Sequence, residues 1–240
     1  MEALYLQSTK MLNYNAKEIQ ALIESRAWKS LSDFDKIEAV YKFVQNEIIL
    51  GYNKYDRLTA TEVLRDGIGQ CNTKATLLMT LLRALDIPAR LHGSRVTKEF
   101  QKSLMPKVMR KLAPPYIVHT WAEVYYNGTW VALEGVITDK RYMEALQNLY
   151  PAFRGKFFDY AVAVENFENL QIDWNGQDTF VQSLAVVEDL GTFASPDEFF
   201  LEYKQAYRGI KKLLYETVGR KIMTKRVAKI RRQKTNRQAV

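Results

Sequence analysis

An α+β fold is predicted by three observations. Apolar side chains recur at helical spacing through the first third of the chain, residues 116–137 read as two β-rich runs about Asn127-Gly128, and the last forty residues form a basic segment with an apolar stripe of helical period. The sequence thus places helices first, an antiparallel sheet second and a helical tail last.

Taken in order, residues 16–28 and 33–50 show the helical pattern, the second through Ile37, Val40, Tyr41, Val44 and Ile48, with Ser32 and Asp35 spaced as a capping box. A short helix is expected from Thr59 to a stop at Gly67, and a fourth from Cys71 to Leu85, where Leu77, Leu78, Leu81, Leu82 and Leu85 make one wide apolar face. After Ile87-Pro88 a strand is expected over 89–96, then a basic segment over 97–112 that Pro114-Pro115 ends. Asn-Gly is the strongest short hairpin signal, so strands are expected over 116–126 and 129–137. Further strands are expected over 160–165 and 179–187, a helix over 139–150, and a last helix opened by Ser195-Pro196-Asp197-Glu198. The expected organisation is an α+β domain over 1–200, with its motifs in 35–137, and a basic helical arm over 201–240.

Composition narrows the function classes. The 240 residues are 47% apolar and 26% charged, as in globular proteins, and no window has the apolar length of a transmembrane helix. One cysteine permits no internal disulfide, and a cytoplasmic location is the expectation. One cysteine and two histidines also fall short of a structural zinc site, so no metal or cofactor is expected. The net charge of +8 is unevenly spread: from Lys204 onward there are thirteen Lys or Arg against the single acid Glu216, and the rest of the chain is slightly acidic.

The chemistry points to Cys71. It begins a predicted helix, where free backbone N–H groups and the macrodipole favour an anion, hence the thiolate. If Asn127-Gly128 is a two-residue loop, Trp121 faces Glu134 and His119 faces Val136, which makes Glu134 the diagonal neighbour of His119 on one sheet face. An imidazole oriented by a carboxylate is the partner a nucleophilic thiol needs. The Cys71 N–H is a candidate oxyanion donor, with Gln70, Tyr52 and Tyr55 as weaker candidates for the second. Glu123 shares the sheet face but lies two pairs further from His119 than Glu134 does, and His92 lacks a motif partner. Trp121, Trp130, Tyr125 and Tyr126 suit a substrate cleft or simply a core.

GIGQCNTKATLLMTLLRALDIPAR followed by HTWAEVYYNGTWVALEG resembles the transglutaminase-like core found in many bacterial and archaeal proteins and in the papain-like cysteine protease superfamily. The resemblance covers about residues 35–137. It implies a papain-like fold, Cys71 as nucleophile, His119 as general base and acid, and Glu134 in the place usually held by Asp. It also implies transamidation, or amide hydrolysis including peptide and glycan-amide cleavage, through a thioester, or an inactive binding relative; a protein or peptide amide is the substrate expected here. Two departures stand out: Glu for Asp adds a methylene, and Asp86 replaces the Gly that commonly precedes Ile-Pro.

The arm remains. Ile210, Leu214, Val218, Ile222, Met223, Val227 and Ile230 form its stripe, which suits packing on the acidic body, an anionic membrane surface or nucleic acid. The plain expectation is a helix docked up to about Ile222 and a solvated basic end. Residues 98–112, between two strands of the motif, suit either a lid or a surface insertion.

Overall fold

The computed structural model describes residues 2–205 and 209–233. Local chemistry sets the early helices. α1 (Lys17–Ser25) buries Ile19 and Ile23, and α2 (Asp33–Asn46) starts where the Ser32 hydroxyl accepts from the Asp35 amide. A two-residue β1 (Ile49–Leu50) precedes α3 (Ala60–Asp66), which has a complete Thr59–Glu62 capping box and ends on Gly67 at φ +63°. β2 (Ile68–Gly69) pairs in parallel with β1, and α4 (Cys71–Arg83) follows at once. From Asn72 to Arg83 every residue of α4 is buried. A helix so enclosed must satisfy its own polar side chains, and Thr76 and Thr80 do so by donating to the carbonyls of Asn72 and Thr76.

The sheet packs on α4. β3 (Ala89–Thr97) leads through a 3-10 turn to the short α5 (Lys107–Leu112), then β4 (Tyr116–Tyr126) and β5 (Thr129–Ala132). β4 and β5 pair in the predicted register, Tyr126 opposite Thr129 and Glu123 opposite Ala132. The second strand stops five residues short of Ile137, however. The amide of Thr179 bonds the Ala132 carbonyl, Asp178 accepts from the Ala132 amide, and Glu134–Ile137 turns away as a 3-10 helix. Gly135 makes this turn possible: a Cβ there would lie 2.6 Å from the Tyr41 hydroxyl.

α6 (Lys140–Leu149) is capped by Asp139, and β6 (Phe157–Asp159) and β7 (Val162–Val164), the latter within the strand expected over 160–165, form a small separate hairpin. The strand expected over 179–187 lies later, as β8 (Val186–Phe193), which adds to β3 and gives the sheet order β5-β4-β3-β8. Its residues are only half-buried or exposed, as on an edge. α7 (Pro196–Glu202) packs under this edge, with Phe199 against Gly93 of β3. A Cβ at Gly93 would sit 2.4 Å from the Phe199 ring, which is itself stacked on Tyr203 and edged by Phe193. Gly93→Ala is therefore expected to destabilise the protein by about 1–3 kcal/mol in a denaturant titration. No loss would mean the ring yields freely.

The arm comprises α8 (Gly209–Leu214), a π-helical turn over Tyr215–Gly219 and α9 (Arg220–Arg231). Docking is the reverse of the expectation. Met223, Val227 and Ile230 are buried, whereas Ile210, Leu213 and Val218 stay exposed. The reason is ionic as well as apolar: Arg231 grips buried Asp139 at 2.9 and 2.5 Å, and Arg226 donates to the carbonyls of Ser103, Leu104 and Met105. Residues 234–240, the end of the predicted basic arm, lie outside the described residues. No described helix is long and apolar enough to cross a membrane.

Candidate active site

Cys71 is the first residue of α4, half-buried, its thiol 3.6 Å from the Asn72 carboxamide oxygen. Asn72 joins helix to strand: its amide donates to the Val118 carbonyl at 3.3 Å, and its oxygen accepts from the Thr120 hydroxyl at 2.9 Å. These bonds flank His119 on both sides, so the start of α4 is fixed against the residue that carries the imidazole. The adjacency of Asn72 to Cys71 was the only signal for it in the sequence.

His119 is 1% exposed. Its Nε2 lies 2.8 Å from Glu134 Oε1, and the second Glu134 oxygen accepts from the amides of Val181 and Gln182 at 2.8 and 2.9 Å. Glu134 reaches His119 not from a paired strand but from the 3-10 turn. That turn is braced by Gln45 donating to the Gly135 carbonyl and by Lys74 donating to those of Gln45 and Ile137. Burial pushes the Lys74 ammonium down, to about 7, despite nearby Asp139. Nδ1 of His119 makes no direct hydrogen bond among the described residues. Burial alone would push the imidazole down, but the neighbouring Cys71 and then Glu134 outweigh it and push His119 up to about 10.

Cys71 and His119 open into a cavity of about 680 Å³, lined by apolar side chains such as Val96, Phe100 and Met105 and by Tyr52, Tyr55 and Gln70. Of the oxyanion candidates, Gln70 is committed on both sides of its amide, accepting from the Asn53 amide at 2.7 Å and donating to Asp56 at 3.1 Å. The Tyr52 hydroxyl donates to Gln101 at 2.8 Å, and Tyr55 is 45% exposed, beneath Lys54. Trp121 lies outside the cavity lining, stacked on His92 at 4.2 Å and 5.7 Å from the His119 ring. It backs the imidazole rather than facing the cleft. Glu123 is engaged with Arg90 and His92, so it is not a second acid for His119. Arg90 and His92 hold its carboxyl below the usual range although burial opposes them.

Two residues went unread in the sequence. Asp56, on the cavity wall, is pushed above the usual carboxylate range by burial, although Asn72, Gln70 and Gln205 donate to it. Gln205, after α7, places its carboxamide against the free edge of β4: its oxygen accepts from the Val118 amide at 3.0 Å and its nitrogen donates to the Val118 carbonyl at 2.9 Å. That is the two-point pairing of a neighbouring strand, one residue from His119. Among the described residues no group of three His, Cys, Asp or Glu side chains could hold a metal ion.

Residues 21–135 match the profile of the Transglutaminase-like superfamily. No curated protein matches the chain. A solved structure, that of a putative cysteine protease from Cytophaga hutchinsonii, is similar with a TM-score of 0.47 at 15% identity over 82% of this chain; the chain spans 48% of that protein's length. Cys71, His119 and Glu134 all fall within the matched residues 21–135, on an α+β fold.

Proposed function

We propose that the protein is a cysteine-dependent amide hydrolase or acyltransferase working through a Cys71-His119-Glu134 triad, with a protein or peptide amide as substrate. The observation that carries this reading is Glu134: buried, tied by two backbone amides, and 2.8 Å from an imidazole whose other nitrogen makes no direct hydrogen bond among the described residues. A carboxylate held this way fixes tautomer and ring orientation. In the proposed cycle the Cys71 sulfur attacks the amide carbonyl carbon, forming a C–S bond. The oxyanion is met by the Cys71 N–H at the helix start. The C–N bond breaks as His119 gives its proton to the leaving amine. Water or an amine then attacks the thioester while His119 takes a proton, and the C–S bond breaks to release product and restore the sulfur.

Incubation with mixed short peptides and a dansylated primary amine, read by mass spectrometry against Cys71→Ala, tests the reading. Labelled peptide supports acyl transfer, and cleavage or deamidation supports hydrolysis. No Cys71-dependent product would sink it. Given turnover, Glu134→Gln is expected to lower kcat by about 10²–10⁴-fold with KM little changed, since the orienting charge is lost while the shape persists. An unchanged kcat would remove Glu134 from the triad.

One observation favours a second reading, a papain-fold binding module with a closed cleft. Gln205 already pairs with both backbone groups of Val118, beside Cys71 and His119. If the cleft is catalytic but obstructed, Gln205→Ala should raise kcat/KM for peptide amides several-fold, mainly through KM. An unaltered kcat/KM would show that substrate does not use this edge.

A further inference from the structure

Residues 209–231 run as one helical stretch through α8, the π turn and α9, yet its halves place their apolar side chains oppositely. The distal half buries them. In the proximal half Ile210, Leu213 and Val218 are 73%, 58% and 50% exposed, and on neighbouring α5 Val108 is 69% exposed. Lys107 and Lys111 of α5 and Lys211, Lys212 and Lys221 of the stretch are exposed on the same elements, and Lys225 and Lys229 follow Lys221 at helical spacing along α9. Glu216, the single acid of the stretch, faces Lys212 at 3.7 Å and is largely covered.

An exposed apolar patch accompanied by lysines is costly in water and suited to the boundary between lipid headgroups and acyl chains. We propose that α8 and the tip of α5 dock onto an anionic lipid bilayer, the apolar side chains entering the headgroup boundary and the lysines meeting phosphates. A nucleic acid would answer the lysines but leave Ile210, Leu213 and Val218 in water. The one aromatic residue of the stretch, Tyr215, lines the cavity instead of standing out to stack on bases. Lys212, Tyr215 and Glu216 belong to the cavity lining, so docking sets the mouth of the Cys71 cavity beside the lipid surface. The proposal stands apart from the triad: a membrane-docked binding module would use the same face.

Co-sedimentation of the full chain with vesicles of phosphatidylcholine, alone or mixed with phosphatidylglycerol, tests it. The expected result is partition into the mixed vesicles that weakens with salt, and falls about tenfold or more in Lys211→Glu/Lys221→Glu, each lysine contributing near an anionic surface. A comparable fall is expected in Ile210→Asp/Leu213→Asp. These side chains are exposed, so both variants should keep wild-type circular dichroism and Cys71 alkylation rates. Failure to bind mixed vesicles, equal binding to neutral ones, indifference to both variants, or binding to a DNA duplex in preference to vesicles would overturn it.

Discussion

His119→Ala is expected to slow alkylation of Cys71 by iodoacetamide about tenfold at pH 6.5. An unassisted thiol, with a pKa near 8.5, is about 1% thiolate at that pH, whereas a thiolate paired with an imidazolium is almost wholly ionised. That hundredfold gain in reactive species is offset by roughly tenfold, because a less basic thiolate is also a weaker nucleophile. The pH course follows from the imidazole. Its proton-binding affinity is raised in the folded protein, so the ion pair persists through the ordinary histidine range, and its contribution to the folded state, complete below about 6.5, is lost as pH climbs through about 10. The native and variant rates should therefore differ most at pH 6 to 7 and converge as the unassisted thiol ionises. Equal rates at pH 6.5 would mean that no ion pair forms, and the binding-module reading would become the better one.

Arg231→Ala is expected to cost roughly 3–5 kcal/mol of stability, which for a protein of this size lowers the melting temperature on the order of 10 °C. The guanidinium and the Asp139 carboxylate are 10% and 3% exposed, and Asp139 also accepts from the amides of Leu50 and Tyr142. Removing Arg231 strands a buried carboxylate whose remaining cationic neighbour, Lys74, is itself held down by burial. Burial alone would raise the Asp139 carboxyl, but Arg231 and then Lys74 hold it below its ordinary range. Its contribution is thus present above about pH 3.9 and lost as pH falls through the lowered value. Thermal melts of the native chain and the variant at neutral pH and in acid should show the gap narrowing on acidification. A melting temperature within two or three degrees of native at neutral pH would mean that the arm is held by Met223, Val227 and Ile230 and by Arg226, without need of Arg231.

Much of the fold was legible because its signals are local. Ser32, Thr59 and Gly67 act within three or four residues of themselves, and Asn127-Gly128 set the β4–β5 register. What failed depends on distant chain. The strand expected through Glu134 stops because Thr179 takes the Ala132 carbonyl and because Gly135 passes close to Tyr41, and neither contact leaves a mark near residue 134. β8 was displaced because an edge strand with both faces partly wet has no alternation to read. In the arm, periodicity reveals a stripe but not which half meets Asp139. In the site, the order Cys71, His119, Glu134 could be read; Asp56 and Gln205 could not, being brought in from loops with no pattern of their own.

Gln205 also changes how any affinity measured at this cleft should be understood. Three residues beyond a packed helix, its carboxamide is a tethered competitor, present at an effective concentration in the millimolar range for a short flexible tether. An incoming amide that needs the Val118 edge must outcompete a ligand that never diffuses away, so the affinity measured on the intact chain is that of an exchange reaction, weaker than the affinity of the bare edge.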